Sequence, residues 1–134
     1  GTLSGNPLAV AAGLAQLREL ERRGPVAYAE LEARGAQLER GLLAAAKDAG
    51  VPVTVARVGS MITPFFHEGR IRNWDDAEKA SKERFAKFFH AMLERRVLLP
   101  PSQWEAWFIS LAHTPGDIER TCDAARAAMK ACAG

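Results

Sequence analysis

The sequence predicts an α+β fold in which helices cover a small, mainly antiparallel sheet. Apolar residues recur at helical spacing over residues 6–47, and β-branched residues alternate with other residues over Val51–Val58. A further strong helix start, Thr114-Pro115-Gly116-Asp117, comes late in the chain. This order of helices, a hairpin, a helix, strands and a helix is typical of an α+β sandwich.

The N-terminal part of the chain is predicted to contain two helices. Asn6 can cap a helix of residues 6–23, because its side chain accepts hydrogen bonds from free amides of the first turn, and Pro7 suits the first helical position. Gly24-Pro25 ends this helix. A second helix is predicted from about Val26 to Lys47, and Gly50 stops it.

A β-hairpin is predicted next. Two turn-type residues, Gly59-Ser60, separate the strand Val51–Val58 from a second apolar run that begins at Met61. Pro64 cannot donate a hydrogen bond to a strand ladder, so the second strand should be at an edge or bulged there.

The remaining elements alternate between helix and strand. Residues 68–80 are predicted to be a polar loop with a possible helical turn, followed by a third helix capped by Ser81. Short strands are predicted at Val97–Leu99 and Phe108–Ala112, and the last helix starts at Thr114.

Composition excludes several classes of protein. The chain has 134 residues, 48% of them apolar and 25% charged, which suits one globular domain. A net charge of +2 with interleaved signs does not indicate a nucleic-acid partner, and no apolar run is long enough for a membrane span.

Cys122 and Cys132, if both lie on one helix, are about 15 Å apart and cannot form a disulfide with each other. The histidines have no metal-ligand spacing, so no metal site is predicted.

Two segments are candidates for chemistry. Glu105 lies between Trp104 and Trp107, where it is either a surface acid beside two core rings or a partly desolvated acid that lines a cleft. The opening segment Gly1–Pro7 combines two glycines and two hydroxyls before a helix start. Its exposed amides could bind an anion, or it could be a flexible cap before the helix.

Gly1-Thr2-Leu3-Ser4-Gly5-Asn6-Pro7-Leu8-Ala9 resembles a segment of the glutamate-1-semialdehyde 2,1-aminomutases, a family of class-III aminotransferases. Related aminotransferases have a similar stretch, usually with another residue at Ser4. Further segments at residues 57–61, 88–93, 98–103, 105–106 and 110–114 resemble the aminomutase hairpin, its next helix, and its last strands and helix start. The resemblance covers essentially all residues in order.

The resemblance implies a fold and an activity. It places residues 1–134 in the small C-terminal domain of a fold-type-I transferase dependent on pyridoxal 5'-phosphate (PLP), together with the long helix that leads into it. Family members are cytoplasmic homodimers that isomerise glutamate-1-semialdehyde to 5-aminolevulinate, a tetrapyrrole precursor, while the cofactor alternates between PLP and pyridoxamine 5'-phosphate. By position, Gly1 and Thr2 resemble the loop at the partner subunit's cofactor phosphate, and Glu105 resembles an acid that faces the substrate.

The two residues of the family that bind the reactive part of the cofactor are not found in this sequence. Its Schiff-base lysine and the acid on the pyridine nitrogen precede the Gly-Thr segment, and none of the five lysines here matches that lysine. We therefore expect the catalytic large domain to be absent and the chain alone to be inactive. A related class-III aminotransferase and a stand-alone, non-catalytic interaction domain are the alternative interpretations.

Overall fold

A computed structural model describes residues 1–133 of the protein and confirms the α+β fold. Helices and a three-stranded antiparallel sheet follow one another in the predicted order. In chain order the elements are α1 (Pro7–Arg23), α2 (Pro25–Ala49), β1 (Thr54–Val58), β2 (Met61–Phe65), α3 (Trp74–Ala77), α4 (Lys82–Glu94), β3 (Trp107–Phe108) and α5 (Pro115–Lys130).

The predicted helix boundaries are confirmed by the capping contacts. The Asn6 Oδ1 atom accepts hydrogen bonds from the amides of Leu8 and Ala9, both at 3.1 Å. Gly24 separates α1 from α2, and Gly50, in the left-handed region at φ 65°, ends α2. The predicted caps Ser81 and Thr114 begin α4 and α5 in the same way, and α3 supplies the helical turn predicted within the polar loop.

The sheet explains how a proline can occupy its middle strand. The strand order is β1-β2-β3, so β2 is the central strand rather than an edge strand. However, β3 pairs only with Met61 and Ile62, and Pro64 lies beyond that pairing, opposite Val55 of β1. At Pro64 the sheet therefore has a local edge, as the missing amide hydrogen requires.

The larger of two hydrophobic clusters lies between the sheet and helices α2, α4 and α5, and the smaller one contains Phe65, Ala77 and Ala80. Aromatic rings at the centre of the larger cluster are packed together, with the Phe88 and Trp107 centroids 6.4 Å apart and nearly parallel. α2 and α5 each bury one side in the core, α2 with Leu38 and Leu42 and α5 with Ile118, Cys122 and Met129. The largest fully buried side chains are Phe88, Leu42, Ile62, Met92, Met129, Pro64 and Cys132.

Arg57 attaches the hairpin to α2. Its Nε atom lies 2.7 Å from Glu39 and its Nη1 atom 2.8 Å from Glu32, both on α2. The hydrogen bonds that Arg57 donates to these carboxylates, that to Glu39 first, raise the pKa of Arg57 above its usual value. Close packing accompanies the ion pairs, because a Cβ atom on Gly35 of α2 would overlap the Gly59 carbonyl oxygen in the hairpin turn. Residue 35 is therefore a glycine because no Cβ atom fits there.

The strand predicted at Val97–Leu99 is wrong. Arg96 adopts φ 61° after α4, so the helix ends in a Schellman motif in which the amide of Val97 donates to the Met92 carbonyl at 3.0 Å. The same turn places the Arg96 amide 2.9 Å from the Leu93 carbonyl. The segment leaves the helix as an irregular connection because these amides satisfy the helix end rather than a strand partner.

The strand predicted at Phe108–Ala112 is wrong in its extent. The observed strand is Trp107–Phe108, and the Ser110 amide donates to Nδ1 of His113 at 3.0 Å. This bond bends the chain toward the cap of α5 at Thr114. The bend explains both the early end of the strand and the role of His113, which is local and structural.

The two cysteines are buried, and they are not joined by a disulfide, which agrees with the prediction. Burial raises the pKa of both the Cys122 and the Cys132 thiol, which keeps them protonated and unreactive at neutral pH.

Candidate functional site

Glu105 lies on an exposed loop between α4 and β3. Its amide donates to the Ser102 carbonyl at 3.2 Å, and its own carbonyl accepts from the buried Thr63 hydroxyl at 3.4 Å. The carboxylate itself is exposed and has no hydrogen-bond or ion-pair partner among residues 1–133. Trp107 is in the core, whereas Trp104 is 36% exposed, so in this chain Glu105 is a surface acid with a fixed backbone.

The N-terminal segment offers hydrogen-bond donors to solvent. Residues 1–5 are exposed and form turns, with the Ser4 amide 3.0 Å from the Gly1 carbonyl. Asn6 already occupies the first free amides of α1. Within residues 1–133, the amides of Thr2, Leu3 and Gly5 and the hydroxyls of Thr2 and Ser4 have no protein acceptor. Amides and hydroxyls of this kind are suitable donors for a phosphate group.

The structure does not bring the two candidate segments into contact within one chain. No hydrogen bond or ion pair in the described residues joins Gly1 or Thr2 to Glu105.

The five lysines lie at or near the surface. Lys82 is exposed, with Nζ 5.1 Å from the Trp104 ring centroid, and Lys87 is half-buried with Nζ 3.2 Å from Glu83. The other three, Lys47, Lys79 and Lys130, are exposed.

Two neighbours of Glu105 have contacts that the sequence did not single out. Gln103 is 5% exposed, and its Nε2 atom donates to the Ala80 carbonyl at 3.3 Å. The ring of Trp104 packs on Trp74, with centroids 5.2 Å apart. A buried glutamine and an aromatic pair distant in sequence leave no periodic signal, so only the three-dimensional structure reveals them.

The described residues contain no group of three or more His, Cys, Asp or Glu side chains able to hold a metal ion. None of the helices within residues 1–133 combines the length and hydropathy needed to cross a membrane.

Curated relatives match nearly the whole chain. The glutamate-1-semialdehyde 2,1-aminomutase of Sorangium cellulosum is 55% identical over 131 residues, which are 98% of this chain and 29% of the relative. Aminomutases of Thermus thermophilus and Myxococcus xanthus are 53% and 55% identical over 96% and 97% of this chain, and each match covers 30% of the relative. The chain thus spans about three tenths of the length of these relatives. None of the protein-family models compared with the chain matches it.

Solved structures show the same fold. An omega-transaminase from Sphaerobacter thermophilus superimposes with a TM-score of 0.80 and 25% identity over 97% of this chain and 29% of that protein. A glutamate-1-semialdehyde aminomutase from Pseudomonas aeruginosa PAO1 gives a TM-score of 0.71 at 24% identity over 81% of this chain and 24% of that protein. The small helix-covered sheet is therefore that of the fold-type-I aminotransferases. With these matches over almost all of its residues, the chain corresponds to the C-terminal part of the curated glutamate-1-semialdehyde 2,1-aminomutases, and its structural neighbours include class-III transaminases.

Proposed function

We propose that this chain acts within a PLP-dependent aminomutase that isomerises glutamate-1-semialdehyde to 5-aminolevulinate for tetrapyrrole synthesis in the cytoplasm. The observation that carries the proposal is the identity of about one residue in two to curated aminomutases over 96–98% of the chain. When bound, the cofactor supplies the amino-group chemistry of the isomerisation, alternating between its pyridoxal and pyridoxamine forms. The chain's own residues contribute binding and orientation.

Gly1 and Thr2 are proposed to hold the cofactor phosphate of the partner subunit in a homodimer. The support from the structure is the donor set of the exposed N-terminal turn, in which the Thr2 amide and hydroxyl have no protein acceptor among the described residues. Hydrogen bonds to a charged phosphate are stronger than those to a neutral acceptor. The turn can therefore fix the position of the phosphate without a lysine or arginine.

Glu105 is proposed to face the substrate. Its carboxylate is exposed and unpaired among the described residues, so it is free to accept hydrogen bonds from a substrate amino group. Related aminotransferases often hold a substrate carboxylate with an arginine in this region. A carboxylate in that position repels such a group and favours an amine instead. Glu105 would thereby retain the amino-bearing species that an aminomutase must not release.

The reactive lysine is proposed to lie outside these 134 residues, since none of the five lysines has a setting that suits it. We therefore expect the purified chain to show no stoichiometric PLP binding and no isomerisation. A stable absorbance of protein-bound PLP in the purified chain would contradict this expectation.

A chimera tests the proposed function. The whole chain replaces the matching region of the Thermus thermophilus aminomutase, and the chimera is expressed in a bacterium that lacks its own aminomutase and needs added 5-aminolevulinate. Growth without 5-aminolevulinate, and isomerisation by the purified chimera, are the expected results. A soluble, PLP-loaded chimera that fails both assays would overturn the proposal, and the unmodified Thermus enzyme is the positive control.

A class-III aminotransferase is the second candidate, because the omega-transaminase superimposes on this chain with a TM-score of 0.80 over 97% of its residues. The same chimera distinguishes the two. Transfer of an amino group to an external keto acid at a rate above that of isomerisation favours the aminotransferase.

A further inference from the structure

The loop that carries Glu105 is attached to the fold at consecutive residues. The side-chain amide of Gln103 donates to the Ala80 carbonyl at 3.3 Å, and the indole Nε1 of Trp104 donates to the Ala77 carbonyl at 3.4 Å. Both acceptors lie at the junction of α3 and α4. The two residues that precede Glu105 are thus anchored on the same short piece of backbone.

The buried position of Gln103 lowers the stability of the fold. It is only 5% exposed, and its Oε1 atom has no hydrogen-bond partner, the sole such buried side-chain atom among residues 1–133. An unsatisfied buried acceptor costs stability, and an apolar side chain of similar length would avoid that cost. The other end of the amide makes a directional bond to the Ala80 carbonyl, which attaches the loop to the backbone between α3 and α4.

Trp104 is held by two different contacts of its ring. The ring contacts Trp74 with a centroid distance of 5.2 Å, and the Lys82 ammonium lies 5.1 Å from its centroid. An aromatic pair and a cation–π contact each favour one orientation of the indole. The indole therefore restricts rotation of the backbone immediately before Glu105.

Glu105 has the complementary pattern of a fixed backbone and a free side chain. The buried Thr63 of β2 donates to its carbonyl, and Ser102 accepts from its amide. No described residue bonds to its carboxylate. All of the observed attachment holds the main chain, and none of it uses the acid.

We propose that Gln103 and Trp104 are positioning residues that fix the backbone of Glu105 so that its carboxylate points at the substrate. This inference rests on the proposed function of Glu105. Catalysis requires the reacting groups to be held within fractions of an ångström, so a small displacement of the loop lowers turnover. The Gln103 bond sets the distance of the loop from the α3–α4 junction, and the Trp104 stack sets its rotation.

The test uses the chimera with Gln103→Met, which keeps side-chain length but removes the amide, and with Trp104→Phe, which keeps a ring but removes the Nε1 donor. Each change is made alone and together with Glu105→Gln. We expect either change to lower kcat by about tenfold or more with a much smaller change in KM. In the Glu105→Gln background, neither change should lower kcat further, because the acid that they position is gone.

Gln37→Met, on the half-buried side of α2, is the matched control and should leave kcat unchanged. Thermal unfolding of each variant separates lost turnover from lost folding, and Trp104→Phe alone decides the matter if Gln103→Met fails to fold. An unchanged kcat, or an equal loss of kcat in the Glu105→Gln background, overturns the positioning role. A Glu105→Gln chimera with normal turnover overturns instead the proposed function of Glu105.

Discussion

Gly41 of α2 lies so close to Cys122 of α5 that a Cβ atom on Gly41 would overlap the Cys122 Sγ atom. These two helices form the most extensive helix–helix contact of the fold, and Cys122 is buried within it. The missing side chain at residue 41 is what lets the helix backbones approach. The contact matters for function because α2 also carries the hairpin, whose strand β2 anchors Glu105 through Thr63.

Gly41→Ala should destabilise the protein although alanine favours helix. The gain in helix propensity is about 1 kcal/mol, whereas overpacking of a tight core contact costs typically about 1–3 kcal/mol. The two helices must shift or Cys122 must change its rotamer, so we expect a net loss in the free energy of unfolding. Urea denaturation monitored by circular dichroism measures this change.

Two controls test whether the overlap with Cys122 causes the loss of stability in Gly41→Ala. Gly13→Ala also changes a glycine in the middle of a helix, but apart from the adjacent helix backbone no atom of the described residues lies within 4 Å of the added methyl group, so this variant should be at least as stable as the original chain. Adding Cys122→Ala to Gly41→Ala should recover part of the loss, because the overlapping sulfur is removed. Equal stability of the two glycine variants would show that the α2–α5 contact accommodates a methyl group at residue 41 without a loss of stability.

The start of α5 should make stability depend on acid pH. The Asp117 carboxylate accepts from the Thr114 amide at 2.7 Å and from its hydroxyl at 2.6 Å, and it also pairs with Arg120. These bonds, those from Thr114 first, hold the pKa of Asp117 below the usual value of an aspartate. A group whose pKa is lowered on folding stabilises the fold above its unfolded-state pKa and loses that contribution as pH falls through the folded value.

Asp117→Asn therefore should flatten the acid limb of the stability profile. Thermal midpoints measured from neutral pH into the acid range should fall less steeply for the variant below about pH 4. At neutral pH the variant should be the less stable protein, since it lacks the negative charge at the helix N-terminus. Asp123→Asn, on the same helix but outside the cap, is the control. Parallel profiles for Asp117→Asn and the original chain would contradict the prediction.

The parts of the fold that the sequence predicts correctly are those with local causes. The Asn6, Ser81 and Thr114 caps, and the glycines at residues 24 and 50, each specify a boundary through neighbouring atoms alone. The strand error at Val97–Leu99 has an unusual cause. Arg96 adopts the left-handed conformation that glycine usually adopts at a helix end. The local sequence therefore does not indicate that α4 ends there.

The candidate site is only partly predictable for the same reason. Glu105 stands out between two tryptophans, and the resemblance gives it a role, but its anchoring depends on residues far away in sequence. Thr63 is 42 residues from Glu105, and Ala80 is 23 residues from Gln103. Spacing along the chain does not encode such hydrogen bonds, because they are set by how α3, α4 and the sheet pack together.

The exposed apolar side of α1 predicts self-association of the purified chain. No residue of α1 is buried, and Leu14 and Leu17 are 44% and 65% exposed on a surface continued by Leu20 and Tyr28. Burial of such an apolar surface against a second copy of the chain stabilises the assembly by about 25 cal/mol for each Å² removed from water. We expect dimers or larger assemblies in sedimentation velocity at micromolar concentration.

Leu14→Gln with Leu17→Gln should shift the sedimentation profile toward monomer without lowering the thermal midpoint, because neither side chain is part of the core. Ala12→Gln, on roughly the opposite side of α1, should leave the assembly state unchanged. A monomer at high concentration of the original chain would count against this surface as an interface.

Thr2→Val should weaken cofactor binding in the chimera. Valine keeps the shape of the side chain and removes the hydroxyl, which has no other acceptor among the described residues. A hydrogen bond to a charged group contributes about 1.5–3 kcal/mol, so the Kd for PLP should rise by roughly one to two orders of magnitude. Thr2→Ser keeps the hydroxyl and should retain most of the affinity. Titration of the cofactor-free chimera with PLP, followed by absorbance, measures both variants. Equal Kd values for Val and Ser at residue 2 would remove Thr2 from the phosphate site, and the exposed amides of the turn would then be the remaining donors of this segment.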